Sequence, residues 1–486
     1  MTGVSPSRYN VIIPLRRGRS LVFNSLSGAT AVLEKRENIK LRRLMTGQEV
    51  RRDAVLKTLL YGGFAVEGGV DELEAIEDEY RRARFDPSTM VLTIAPTLGC
   101  NFGCDYCFQG IDKPFDRMPS EVQDEIVSLI VHNAPTLRNL SIAWYGGEPL
   151  LALPEIMRMS ERFTNICEIE SVQYDSLIVT NGYRLTEEVA NQLHQSKVQV
   201  AQVTIDGAKA YHDKRRILLG GQGTFERIVS NITGVVNSTP LRVVIRVNID
   251  SRNKSDVPDL LHFFHDAGLS HRSNFSVYFA PVEAITEGCH SVADQCISKS
   301  GYAELETDLQ HLAFDLGLAS LPYPKRFRGL CGAMRPKGFV VVPNGDVHKC
   351  WDTVSLPQMK IGTIFDLDAA RTSQIAQEWA EWTPFNNASC RSCKLLPNCA
   401  GNCAHKFINP QQTLGEAGAL PCPSWKYQLK ERVVSLAIRQ GAICESDFDD
   451  AAISTDPTEI CSVPPPEDMI KSSRGVRKLL PLIVVN

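Results

Sequence analysis

Cys100, Cys104 and Cys107 stand in one short stretch, Thr97-Leu-Gly-Cys-Asn-Phe-Gly-Cys-Asp-Tyr-Cys-Phe108, and that spacing limits what the surrounding chain can be. Three thiolates in one loop suit a metal cluster. A cubane iron-sulfur cluster usually takes four cysteine ligands, so a compact set of three leaves one iron open to chelation by a small molecule. Structural zinc wants four ligands in a closed site, and three buried apolar cysteines are the other alternative. Downstream stand Cys331, Cys350, Cys390-x2-Cys393-x5-Cys399-x3-Cys403 and Cys422, seven thiols within about a hundred residues. Paired zinc ribbons would need C-x2-C knuckles across longer gaps, which these spacings fit poorly.

With 486 residues, 43% of them apolar, the chain is long enough for two or three domains, each with its own core. Fifteen cysteines without an apolar signal region over Met1 to Asn10 favour metal binding in a reducing cytoplasm over a disulfide framework. A net charge of -4 gives no footprint for nucleic acid or an anionic membrane, and no apolar run is long enough for a membrane span.

From residue 88 onward, β-branched runs alternate with helical stretches. Met90 to Ala95, Leu140 to Trp144, Ser176 to Thr180, Gln199 to Ile205, Leu241 to Val247 and Phe275 to Ala280 read as six strands. A helix opens at Ser120, with Gln123 completing a capping box, and another opens at Thr224. Alternation of this kind implies a parallel α/β sheet whose active site lies beyond the carboxyl ends of the strands. The cysteine loop, Gly146-Gly147-Glu148, Asn181-Gly182, Asp206-Gly207 and Asn248 all fall there.

The C-x3-C-x2-C loop with Tyr106 before its last cysteine resembles the signature of the radical S-adenosylmethionine (SAM) enzymes. That resemblance implies an open, partial (β/α)6 TIM-like barrel over residues 88–285. It also implies a [4Fe-4S] cluster on Cys100, Cys104 and Cys107 whose free iron binds SAM. One electron then cleaves the sulfonium, and the 5'-deoxyadenosyl radical abstracts hydrogen from substrate. The hard chemistry is the cofactor's, and the protein supplies position and exclusion of water.

By the same resemblance Gly146, Gly147 and Glu148 address the SAM amino group, although a strand-ending turn explains the glycines alone. Asn181 falls near SAM, and Tyr106 lies along the adenine, with ordinary packing as its alternative. His212-Asp213-x-x-Arg216 resembles a stretch of peptide-modifying members in which the arginine approaches the SAM carboxylate; a surface helix is the other reading of Arg216.

The seven downstream cysteines resemble the SPASM extension, which carries two auxiliary [4Fe-4S] clusters in relatives. The pattern assigns Cys390, Cys393, Cys399 and Cys422 to one cluster and Cys331, Cys350 and Cys403 to the other. Some members supply an eighth cysteine shortly before the position of Cys331; none stands between Arg326 and Leu330 here. Cys167, Cys289, Cys296, Cys444 and Cys461 are left as buried or free thiols. Cys289 or Cys296 looping back as the missing ligand is the alternative, against its long spacing.

Residues 1–86 form a separate α+β unit, with strands over Tyr9 to Pro14 and Ser20 to Phe23 and helices near Gly28 to Lys35, Gln48 to Leu60 and Asp71 to Ala83. It resembles the winged-helix-like modules in which a leader peptide adds a strand to a sheet edge; an uncommitted packing domain is the alternative. Its basic run, including Arg36, Lys40, Arg42 and Arg43, suits an acidic leader or a solvated face. Residues 286–330 connect the barrel to an iron-sulfur SPASM domain over 331–425, and 426–486 form a helix and an acidic tail with Pro464-Pro-Pro466.

Together these features resemble a cytoplasmic maturase that installs a thioether or carbon-carbon cross-link in a ribosomally made precursor peptide. An electron donor such as flavodoxin or ferredoxin is the further implied partner. An anaerobic sulfatase-maturating enzyme is the nearest alternative; that group carries an aspartate directly after the cysteine matching Cys350, where this chain has Trp351 and then Asp352. A non-catalytic iron-sulfur carrier is the other, and it has no need of an open iron site.

Overall fold

The computed structural model describes residues 3–110, 112–321, 323–327, 330–414 and 421–463; the tail segment 464–466 noted in the sequence lies outside the described residues. The chain begins with β1 (Val4–Pro6), β2 (Asn10–Pro14), β3 (Ser20–Asn24), β4 (Thr30–Leu33) and β5 (Ala65–Glu67). Strands β2, β3 and β4 form an antiparallel sheet, and β1 pairs with β5. Helices Lys35–Met45, Ala54–Tyr61 and Glu72–Arg84 complete this region, the last two capped by the carboxylates of Asp53 and Asp71.

The expected helix over 28–35 is instead mostly β4. Gly28, at φ +75°, turns the chain back with its N–H on Asn24 O, and the β-branched Thr30 and Val32 then extend along β3. One face of this small sheet, with Val11, Ile13, Leu21 and Phe23, packs on Leu395, Leu429 and Val433 from the C-terminal region. The other carries Val22 onto Leu41, Leu44, Leu56 and Leu59.

Six parallel strands follow: β6 (Thr89–Ile94), β7 (Asn139–Trp144), β8 (Gln173–Thr180), β9 (Val198–Thr204), β10 (Arg242–Ile249) and β11 (Phe275–Pro281). Helices Ser120–Asn133, Leu153–Ile169, Glu187–Gln195, Phe225–Ser238 and Val257–Asp266 lie between them, since parallel neighbours need long crossovers. The helix at Ser120 starts where the sequence places it, but no capping box forms. Pro119 occupies the cap and has no side-chain acceptor to offer, and Gln123 Nε2 donates to Met118 O at 2.8 Å instead.

The sheet does not stop at the barrel edge. β12 (Gly338–Val341), from the cysteine-rich C-terminal region, pairs in parallel with β6, and β13 (Asp346–His348) and β14 (Gly362–Thr363) continue the sheet antiparallel. This continuation sets Cys350, two residues past β13, beside the mouth of the barrel. Arg84, at the end of its helix and buried, locks the same region to the N-terminal one by donating to the carbonyls of Met334, Trp379, Ala380 and Trp382.

Strand alternation sorts the barrel residues into two sets. Ala201, Val203, Val243, Ile245 and Val247 are fully buried in the main core, together with Ile228 and Ile232 of the outer helices. Gln202, Thr204, Arg246 and Asn248 take the opposite face and line the interior.

Candidate active site

The segment after β6 carries the cysteine loop across the carboxyl end of the sheet. Cys100, Cys104 and Cys107 are free thiols lining one cavity of about 230 Å³ together with Tyr106, Gly146, Gly147, Asn181 and Arg216. The cysteines, the two glycines and the three polar residues singled out in the sequence thus meet at one place.

The glycines are needed for close approach. A Cβ on Gly146, whose φ is +149°, would stand 2.2 Å from Thr97 O, and one on Gly147 would stand 2.2 Å from Gly99 O and 2.3 Å from Leu98 O. The backbone is knitted to the cysteine loop there, with Gly147 N donating to Thr97 O at 3.2 Å and Glu148 N to Gly99 O at 2.8 Å.

Glu148 takes a different place from its neighbours. It is completely buried and is not among the residues lining the cavity. Its Oε1 accepts from Leu150 N (3.0 Å) and Thr180 Oγ1 (2.7 Å), and its Oε2 from Asn181 N (2.7 Å). Burial pulls this carboxyl above its ordinary range while the three hydrogen bonds work the other way. The carboxylate therefore braces the end of β7 against the end of β8 and orients Asn181, whose Nδ2 reaches Asn101 Oδ1 at 2.8 Å.

A second polar group closes the opposite wall. Tyr106 Oη donates to Asp206 Oδ2 and accepts from Arg216 (2.6 Å) and from Asn248 Nδ2 (3.2 Å). Arg215 lies 4.4 Å over the Tyr106 ring and pairs with Asp105 and Asp250, each at 2.8 Å. Burial opposes the charge on Arg216, but its phenolic, thiol and carboxylate neighbours outweigh burial and hold it cationic. His212 belongs to the scaffold: it is buried, faces Thr224 Oγ1 at 3.1 Å, and burial drives its pKa down to about 3.

Arg246, Gln202 and Thr204 were not singled out in the sequence, whereas Asn248 was placed at its strand end there. Strand period was the available signal: Arg246 and Asn248 occur two apart on β10, out of step with Val243, Ile245 and Val247.

The later cysteines form two further groups. Cys390, Cys393, Cys399 and Cys422 line a separate pocket with Lys426, and Cys461, left unassigned in the sequence, joins them. The backbone of Cys461 forms an isolated antiparallel β-bridge with that of Cys393, both thiols being free, and the Cys461 thiol contacts the carbonyls of Ser389 and Val463, each at 3.0 Å. Cys350 packs with Ala333, Met334 and Ala404, which flank Cys331 and Cys403, so these three cysteines converge as the second group. Cys289 and Cys296 stand elsewhere, around Val282 and Val292 beside Tyr106 and Phe108, with Cys289 donating to Thr286 O.

A match to the Radical SAM superfamily covers residues 94–264, the span from β6 to the helix before β11. Residues 94–264 are a radical SAM domain. An uncharacterized Synechocystis protein is 26% identical over 208 residues, which is 41% of this chain and 51% of that protein, so the chain matches about half of that relative's length. A cysteine-type anaerobic sulfatase-maturating enzyme of Clostridium novyi is 22% identical over 69% of this chain and 93% of its own length. The mycofactocin maturase of Mycobacterium tuberculosis is 25% identical over 65% of this chain and 79% of its own. Among solved structures, native anSMEcpe with bound AdoMet and a Kp18Cys peptide covers 72% of this chain and 98% of that one, at 20% identity and a TM-score of 0.57. That likeness extends the shared fold well beyond residues 94–264. No helix among the described residues is long and apolar enough to cross a membrane.

Proposed function

We propose that this radical SAM enzyme modifies a side chain of a peptide or protein, and that its reaction is the cross-linking of a precursor peptide through a thioether or carbon-carbon bond. The observation that carries the reading is the cavity shared by the three loop thiols, Gly146, Gly147, Tyr106 and Arg216, with Asp206 bonded to the Tyr106 hydroxyl behind it. The residues fit the cofactors. Three free thiols without a disulfide suit one cluster, and among the described residues the buried Arg216 Nε of the cavity wall has no hydrogen-bond partner, so a donor remains for a bound amino acid moiety.

Cys100, Cys104 and Cys107 would hold the first [4Fe-4S] cluster. Cys390, Cys393, Cys399 and Cys422 would hold one auxiliary cluster, and Cys331, Cys350 and Cys403 three corners of another. When bound, the first cluster with SAM supplies hydrogen-atom abstraction from substrate. Tyr106, fixed through its hydroxyl from three sides, offers a ring face to the adenine. Gly146 and Gly147 bring backbone close enough for main-chain contacts to SAM, and Glu148 keeps those glycines and Asn181 in place. Arg216 sets a buried positive charge where a carboxylate can dock. The N-terminal region suits a leader peptide: β4 is a sheet edge bonded on one side, to β3. A flavodoxin or ferredoxin would supply the electron.

Formylglycine formation is the second reading, favoured by the match to 93% of the sulfatase-maturating enzyme's length. The test is anaerobic reconstitution with iron and sulfide, then reduction with SAM, for the wild type and Cys104→Ala. About twelve irons per chain and 5'-deoxyadenosine lost in the variant are expected; zinc without nucleoside would overturn the reading. With the precursor peptide, loss of two hydrogens without a new aldehyde marks a cross-link, whereas an aldehyde trapped by a hydrazide marks formylglycine.

A further inference from the structure

The three-thiol group around Cys350 lacks a fourth ligand from cysteine. We infer that the carboxylate of Asp352 is that ligand, completing an auxiliary iron-sulfur site of three thiolates and one oxygen at the border of the active-site cavity. The inference rests on the cluster assignment proposed above.

Position supports it first. Asp352 lies in the one-turn helix Trp351–Thr353 that begins directly after Cys350, and its Oδ2 is 3.8 Å from the Cys350 sulfur. The same residue lines the cavity that holds Cys100, Cys104 and Cys107. Charge supports it second. Among the described residues no lysine or arginine pairs with it, unlike Glu283 nearby, whose two oxygens go to Lys299 (3.1 Å) and Lys406 (2.6 Å). Three thiolates and a carboxylate converge at a cost unless a positive centre sits among them. An iron-sulfur cluster is such a centre.

The rivals fit less well. Glu283 is spent on its lysines. The His405 ring has a buried Nε2 without a partner and stacks near Trp379, but Asp352 and Lys406, not the thiols, are the charges acting on it. Cys289 and Cys296 pack around Val282 and Val292.

The test uses the full chain with Cys100, Cys104 and Cys107 all changed to Ala, so that only auxiliary clusters remain. About eight irons per chain are expected there, and fewer than about four would mean that the cluster assignment itself, not the ligand, is wrong. With the iron present, reduced electron paramagnetic resonance spectra are compared for Asp352, Asp352→Asn, Asp352→Cys and His405→Gln, with circular dichroism to confirm folding. Expected are a shifted signal from one cluster in Asp352→Asn and a further, distinct signal in Asp352→Cys. Added cyanide should perturb the Asp352→Asn cluster and leave the unsubstituted one unchanged. Protein grown on isotopically labelled aspartate should show hyperfine coupling at that same cluster. Spectra indifferent to Asp352, a cyanide-sensitive cluster with Asp352 in place, or a shift produced by His405→Gln in its stead would each overturn the assignment.

Discussion

Changing Glu148 to Gln separates two roles that a buried carboxylate in this position could have. If it braces the strands, the anion accepts three hydrogen bonds, from Leu150 N, Thr180 Oγ1 and Asn181 N. An amide keeps the shape but turns one acceptor into a donor, which leaves at least one backbone N–H facing another donor. An unpaired buried donor costs roughly 1–3 kcal/mol, and the loss of charge assistance adds to it. Relief of the burial that raises the Glu148 pKa returns part of this. A net loss of about 2 kcal/mol lowers Tm by roughly 4–8 °C. The assay pairs thermal unfolding by circular dichroism with SAM titration of the reconstituted enzyme. A clear fall in Tm with a SAM affinity reduced only a few fold is expected. An unchanged Tm with a loss of tenfold or more in SAM affinity would refute the brace and return the carboxylate to direct contact with the ligand.

Gly147→Ala would force a methyl against Gly99 O and Leu98 O, at 2.2 and 2.3 Å in the present geometry, so the loop bearing Cys100 must move. Iron content should fall by about four per chain, one cubane, while the other two clusters stay. Arg216→Lys keeps the charge but loses the fork that reaches Tyr106 Oη, and the stacking near Phe102, so SAM affinity should drop about tenfold, with nucleoside formation partly restored at saturating SAM. Glu283 is held down at about 2, against burial, by Lys299 and Lys406. A depressed folded pKa stabilises above the unfolded value near 4.5 and is lost as pH falls toward 2, so this group contributes up to about 3 kcal/mol at neutral pH. Urea unfolding of the metal-free chain from pH 7 to 3 should therefore show a weaker acid dependence in Glu283→Gln than in the wild type.

The six parallel strands and the convergence of Cys100, Gly146, Asn181 and Arg216 could be read from the chain because each signal is local. A strand end and a turn motif within a few residues place a side chain at the rim of a parallel sheet whatever its neighbours do. Two kinds of information escaped that reading. The segment 28–35 is short enough for tertiary pairing to override it, and one glycine turn laid Thr30 and Val32 along β3 as a strand. The other kind is distant partnership. Spacing assigned seven downstream thiols, yet Cys461 reaches the Cys393 pocket through chain folding that no local pattern records. Glu148 makes the same point in reverse: its motif put it at the right strand end, but only the positions of Thr180 and Asn181 decide that its oxygens turn inward to the protein while its two glycines face the cavity. A motif thus locates a residue on the fold, and the partners supplied by other strands decide what its side chain is free to do. By that reasoning the Asp352 carboxylate, 3.8 Å from the Cys350 sulfur and in ion-pair contact with no lysine or arginine among the described residues, carries more chemical information than the fully satisfied Glu148 does.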